Sequence, residues 1–365
     1  MRHLPRDHTQ TMDQQPTLII LVCYFGRLPS LFNVFLKSCG YNPSICWRII
    51  TDDRTPYDFP SNVQPVYIEF GDVQKRFQRH FDFRISLNYP YKLCDFRPAF
   101  GLAFDDLVEG FDFWGHSDID MINGDIRKFL TREIFELHDK VLGFGHMAFY
   151  RNTDEVNSAF AANCRFGRKS SSYRLDQLGV LGQKWHSEWA NSAAAYERST
   201  QPVHQIIFSN DKYCHFDEWN VRAYGINDLL LDIGKRVYDG REFANLHIPV
   251  GHFELSRLTS VASQRPGTPC VFLFKQGQLL RIIAENEELT FDEFLYLHIQ
   301  KRPMKNNLVG ELPDSYLIIP NCFIPVPKEL TFKRVKQLGK RCRFYPEYVK
   351  FKIRNIKAKL LEKFS

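Results

Sequence analysis

Two carboxylates set two residues apart at the end of an apolar run, Asp118 and Asp120, have the type and spacing to hold a divalent metal. They lie in FDFWGHSDIDMINGDI, Phe111 to Ile126, where Phe111, Phe113 and Trp114 carry the aromatic bias of a half-buried strand. Asn123-Gly124 marks the end of that strand or the turn beyond it. Side chains at i and i+2 of an extended chain share one side, so both acids can face one hard cation or its water shell. Such a cation neutralises phosphate oxygens and stabilises a departing diphosphate. The plain alternative is that Asp-x-Asp is only a turn.

Other groups of the same chemical kind are scattered along the chain. VLGFGHMAFYRN has His146 beside Gly143 and Gly145, two glycines that would let a ligand approach the backbone; His146 is either a contact to it or a structural histidine. In CHFDEWN, Asp217 and Glu218 sit between aromatics, where a carboxylate acts as a general base with a raised pKa or caps a helix. Asp176 and Gln177 are the only plausible site groups of the polar stretch from Ser170 to Trp189. YLHIQKRPM concentrates His298, Lys301 and Arg302, which complete a metal and diphosphate site or form a surface basic patch. Lys92 and Asp95 fall at i, i+3 of an expected helix, with Arg97 at a break before Pro98.

The elements that must position these groups follow from hydrophobic pattern. TLIILVC, Thr17 to Cys23, is a continuous apolar run of the buried parallel-strand type. A loop from Tyr24 to Pro29 leads to a helix capped by Ser30 and running through Cys39. Strands over Ile45 to Ile50 and Val63 to Phe70 complete a βαβ unit, so ligands are expected at the carboxyl ends of the strands. Beyond it the pattern predicts helices over Gly71 to Phe83, Asn88 to Gly110 and Asp125 to Lys140, and a strand over VLGFGHMAFYRN. A short strand over His204 to Asn210 and a hairpin over Val271 to Ile283, turning at Gln276-Gly277, follow.

The 365 residues suffice for one large domain or two, with 32 Phe to build a core. No apolar run reaches the length of a membrane-spanning helix, and residues 1 to 16 read as a polar, disordered leader without the features of a secretion signal. Nine cysteines without metal-like spacing indicate reduced thiols and a cytoplasmic protein. The net charge of +6 is uneven: Lys328 to Ser365 holds 13 Lys/Arg against three Asp/Glu, about +10, leaving about −4 for the rest. On a helix from Tyr348 to Phe364, Val349, Ile353, Ile356, Leu360 and Phe364 form one apolar stripe with lysines around it. That is the pattern of a helix lying on an anionic membrane, or of one docking on the protein body. No nucleic-acid recognition module accompanies the charge.

Taken in order, TDD, YKLCDFRPAFG, FWGHSDIDMINGDI, GHMAFYRN, FDEWN and YLHIQKRPM resemble the motifs of bacterial glycosyltransferases of the GT-A fold that act in capsule and lipopolysaccharide assembly. The resemblance runs from about Thr17 to Phe323. It implies an α/β fold, a GT-A-type nucleotide-binding mixed sheet flanked by helices, over residues 17–325; residues 326–365 remain the basic amphipathic tail read from their charge and periodicity. It implies a nucleotide-sugar donor, usually a uridine diphosphate sugar, bound with Mn²⁺ or Mg²⁺, and a glycan or glycolipid acceptor. The basic tail, not the resemblance, adds the expectation of a place on the inner face of the cell membrane. Asp118 and Asp120 match the metal-binding DxD, with His298 as a metal or diphosphate contact and Lys301 and Arg302 facing the phosphates. Tyr24, Phe25, Gly26 and Arg27, with Asp52 and Asp53, occupy the nucleotide region, and Lys92, Asp95 and His146 the nucleotide or sugar region. Asp217 or Glu218 occupies the place of an inverting catalytic base. His116 and Asn123 depart from the pattern, which leaves the donor sugar open.

Two other functions compete. Asp-x-Asp after a strand also resembles the aspartyl-phosphate motif of phosphohydrolases, although that motif ends the first strand of its domain and here several elements precede it. A non-catalytic glycan-binding protein is the third, and the intact Asp118, Asp120 and His298 argue against it.

Overall fold

The computed structural model describes residues 15–80, 85, 87–144, 146–159, 230–231, 233–238, 251–252, 271–299, 304–308, 310–319 and 322–340. They form a mixed α/β architecture of three sheets flanked by helices. The first sheet holds β1 (Leu18–Cys23), β2 (Ile45–Thr51), β3 (Val63–Tyr67), β4 (Phe113–Ser117), β6 (Lys140–Phe144), β7 (Met147–Arg151) and β8 (Val237–Tyr238), in the order β3-β2-β1-β4-β7-β6-β8. β1, β2, β3 and β4 run parallel, whereas β7 is antiparallel to both β4 and β6.

The continuous apolar run at β1 is explained by burial on both faces. Leu18, Ile20 and Val22 enter one core and Ile19 and Leu21 the other. The first core is closed by the helix Phe32–Gly40, through Phe32, Phe35, Leu36 and Cys39. The second is closed by the helix Phe70–Gln78, through Val73 and Phe77, and by a 3-10 helix, Pro90–Ala99, through Leu93, Phe96 and Ala99.

The second sheet is built from β10 (Val271–Lys275), β11 (Gln278–Glu285), β12 (Glu288–Phe294), β14 (Lys305–Asn306), β15 (Ser315–Ile319) and β16 (Cys322–Pro325). One of its faces packs on Val34 of the helix Phe32–Gly40, which is thus wedged between the two sheets. The helix Phe332–Lys340 lays Val335 and Leu338 on the other face and leaves Lys333 and Arg334 exposed. The expected hairpin turns at Gln276 and Gly277, both with positive φ (48° and 86°), the conformation a two-residue hairpin loop requires. A third, small sheet joins β5 (Met121–Asn123), β13 (Tyr296–His298) and β9 (Gly251–His252).

Several expected boundaries move. Ser30 is not the helix cap: the helix starts at Phe32, and Leu31 before it makes no side-chain capping bond. The third strand stops at Tyr67 because a helix begins at Phe70, and that helix ends at Gln78. The helix expected over Asp125 to Lys140 is two short ones, Ile126–Phe129 and Arg132–Leu137. Leu130 leaves helical geometry and is fully buried, and Lys140 already belongs to β6. The segment VLGFGHMAFYRN is a hairpin, with positive φ at Leu142 and a shifted register between Val141 and Phe144. The helix expected over Asn88 to Gly110 is the 3-10 helix followed by two single turns, Phe100–Ala103 and Asp105–Val108. It runs through Pro98, so Arg97 sits inside a helix rather than at a break.

Asp139 ties three strands together at the far edge of the first sheet. One oxygen takes the Arg151 Nε–H at 2.9 Å and the other the Arg236 backbone N–H at 2.9 Å. Burial pushes this carboxyl up, but the Arg236 N–H and the Arg151 guanidinium outweigh it and the net shift is downward. The sign follows: the contribution is complete above the unfolded carboxylate range of about pH 4 and fades as pH falls through the lower folded value. Asp139→Ala is expected to lose about 2 kcal/mol near neutral pH, read as a lower urea midpoint, with the gap to the parent chain narrowing in acid. Equal midpoints near neutral pH would remove Asp139 from the supports of the fold.

Candidate functional site

The acids stand where β4 leaves the sheet. Ser117 is the last residue of β4, and Asp118 follows, its N–H donating to the His146 carbonyl at 2.8 Å. That bond continues the β4–β7 pairing, in which Ser117 lies opposite Met147, so the hairpin turn before β7 is fixed against the first acid. The chain then enters β5, whose antiparallel partner β13 sets His298 opposite Met121. The Ile299 N–H closes the corner by donating to the Asp120 carbonyl at 2.8 Å.

The result is a cluster drawn from three distant stretches of sequence. His298 Nε2 lies 3.2 Å from an Asp120 oxygen and 3.6 Å from Asp118 Oδ2. Asp118, His146 and His298 each offer one ligand atom, and these atoms lie within 4.8 Å of one another. The two imidazoles are tilted by 36° with centroids 4.0 Å apart. Asp118 Oδ1 accepts from the Arg97 guanidinium, so its two oxygens have different neighbours. Burial pushes the Asp118 carboxyl up, the Arg97 and His298 charges work against that, and the neighbouring Asp120 adds to it. The net upward shift marks a place where a second negative charge is costly and a cation would relieve it. Carboxylate oxygens and imidazole nitrogens at this spacing are a donor set that a divalent ion fits.

The remaining expected residues fall in several places. Asp52 accepts from the Gly26 N–H at 2.6 Å and Asp53 from the Leu28 N–H at 2.8 Å. Asp53 also takes the Thr55 N–H and hydroxyl, at 2.9 and 2.6 Å, and its carboxyl is held below the usual range, first by Thr55 and then by Leu28. Both acids thus fasten the loop after β1. In that loop Gly26 and Arg27 are exposed, Tyr24 packs on the first core, and Phe25 meets Phe70 edge to face at 5.3 Å. Lys92 is buried on the 3-10 helix. His116 is buried on β4 and held neutral, first by burial and then by the Arg97 and Lys140 charges. The side chain of Asp95, and Asp176, Gln177, Asp217, Glu218, Lys301, Arg302, Gly145, the strand from His204 and the tail from Tyr348 lie outside the described residues.

Arg97 is the site residue that sequence reasoning missed. No local pattern in YKLCDFRPAFG signals it: the 3-10 helix carries its guanidinium to Asp118, 21 positions along the chain.

The model of a family of unknown function, DUF6625, matches residues 20–178 and 183–327. The chain belongs to this family. No curated protein matches it significantly. Among solved structures, this DUF6625 chain is similar to the apo form of the glycosyltransferase GlyE of Streptococcus pneumoniae TIGR4, with a TM-score of 0.28 and 10% identity over 68% of this chain and 49% of that one. It is also similar to the galactosyltransferase LgtC in complex with donor and acceptor sugar analogues, with a TM-score of 0.22 and 10% identity over 59% and 95% of the two chains. The match spans about half the length of the GlyE chain. At such values the likenesses are loose, and the functional reading stands on the cluster itself.

Proposed function

We propose that the chain is a metal-dependent glycosyltransferase that moves a sugar from a nucleotide diphosphate, uridine diphosphate first, to a glycan or glycolipid acceptor. The observation that carries this reading is the meeting of Asp118, Asp120 and His298 at the exit of β4, next to the carboxyl end of the parallel strand β1. That is the crevice in which α/β sheets bind their ligands. Asp118, Asp120 and His298 would hold the ion, and a bound divalent cation supplies charge neutralisation for the departing diphosphate. Arg97, paired with Asp118, keeps that carboxylate oriented and adds a positive charge beside the site. The Asp52 and Asp53 bonds hold the loop after β1 in one shape at the edge where a nucleotide would lie. The chain's own contribution is therefore orientation and electrostatics, with the acceptor hydroxyl as nucleophile.

The test is a titration of uridine diphosphate with and without Mn²⁺, followed by thermal unfolding. At a ligand concentration of about 100 times Kd, the pair is expected to stabilise the chain by about 2.7 kcal/mol, and either component alone by less. A screen of other nucleoside diphosphates under the same conditions identifies the base. Hydrolysis of simple phosphate esters without any metal-linked nucleotide stabilisation would decide for a phosphohydrolase.

A further inference from the structure

We infer that His146 is a fourth protein ligand of the ion, and that the site is thereby built for a transition metal in preference to Mg²⁺. This rests on the metal-dependent reading above and extends it to a residue that the sequence assigns to the sugar or the nucleotide. The His146 side chain is buried, and a ligand atom of its ring lies within 4.8 Å of those offered by Asp118 and His298. Its position is determined by the backbone: the His146 carbonyl accepts from the Asp118 N–H at 2.8 Å, and the neighbouring Met147 pairs with Ser117. His146 and the exit of β4 are thereby joined, with the ring of His146 set against that of His298, centroids 4.0 Å apart.

The chemistry follows from the donors. Mg²⁺ takes oxygen ligands, keeps several of its waters and gains little from imidazole. Mn²⁺, Fe²⁺, Co²⁺ and Zn²⁺ accept imidazole nitrogen readily, with affinity rising along the first-row series up to copper. Two carboxylates can serve either class of ion, but two converging imidazoles serve only the second. Asp118, His146 and His298, whose ligand atoms lie within 4.8 Å of one another, with Asp120 3.2 Å from His298, would leave a six-coordinate ion with positions for diphosphate oxygens. The ion is accordingly held by the chain before the nucleotide arrives.

The experiment uses the full chain, stripped of metal by a chelator and then given Mn²⁺ alone. Pulsed electron paramagnetic resonance counts the imidazole nitrogens coupled to the bound ion. Two are expected in the parent chain, which requires no variant to fold, and one in either His146→Gln or His298→Gln. Calorimetric titration is expected to give Mn²⁺ binding at least about 10-fold weaker in His146→Gln, while Mg²⁺ binding hardly changes, so that the selectivity between the two ions narrows. A parent chain that binds Mn²⁺ through a single imidazole overturns the role of His146 and leaves the glycosyltransferase reading standing. A parent chain that binds no Mn²⁺, alone or with uridine diphosphate, overturns both.

Discussion

Asp120→Ala is expected to abolish sugar transfer, with a fall in turnover of about a thousandfold or more and little change in the unfolding midpoint. The magnitude follows from the several kcal/mol that a bound cation contributes when negative charge develops on a leaving diphosphate, since about 4 kcal/mol is a factor of a thousand. The folding neutrality follows from the surroundings of the side chain, which is 22% exposed and faces His298, not the packed core. Its backbone carbonyl, which accepts from Ile299, is untouched by the substitution. Donor hydrolysis in the absence of acceptor and thermal unfolding are measured on the same preparation. Parent-like turnover in this variant would sink the metal assignment. Parallel collapse of activity and stability would instead make Asp120 a structural residue.

The second large effect concerns a glycine with no chemistry of its own. Gly124 lies directly after β5, where its N–H donates to the Leu295 carbonyl at 2.8 Å. A Cβ there would stand 2.3 Å from the Phe294 carbonyl and 3.2 Å from that of Leu295. Both obstacles are backbone, so no rotamer change relieves them, and Gly124→Ala is expected to cost about 3 kcal/mol. The segment pushed away, the end of β12 and Leu295, leads directly into β13, which brings His298 to the acids, so Mn²⁺ binding should weaken together with the unfolding midpoint. A variant with the parent's midpoint and metal affinity would show that the two segments are less tightly joined than these contacts require.

Much of the site's frame is readable from residue types alone. The TLIILVC run must be buried on both faces and Gln276-Gly277 can only be a tight turn, because each rests on local geometry. The Asp-x-Asp pair does not follow strand alternation, since β4 ends at Ser117 and the chain bends at Asp120 before β5; the two acids share a side only in that both approach His298. The meeting of His298 with the acids is a matter of sheet pairing: it depends on β5 and β13 lying side by side, which no local pattern in MINGDI or YLHIQ dictates. His146 illustrates the same limit. Its segment reads as one strand, and only the hairpin, with Ser117 opposite Met147, brings the histidine to Asp118 and His298. Arg97 was hidden by a sound rule applied to the wrong helix type, since proline breaks an α-helix but here sits within a 3-10 helix. The helix expected from Asp125 to Lys140 failed for a tertiary reason: burial of Leu130 outweighed the local preference to continue.

The helix Phe32–Gly40 has almost no surface that belongs to water. Of its residues only Asn33 is exposed, its Phe side chains answering to the first sheet and Val34 to the second. Just beyond it the ring of Tyr41 meets Phe274 at 5.6 Å, and Lys37 forms an ion pair with Asp314 at 2.9 Å. A segment near the start of the chain is thus a party wall whose far side is finished only when residues from 271 onward arrive. Until they do, a growing polypeptide carries that wall bare, with Tyr41 and Lys37 lacking the partners that cover them in the finished molecule.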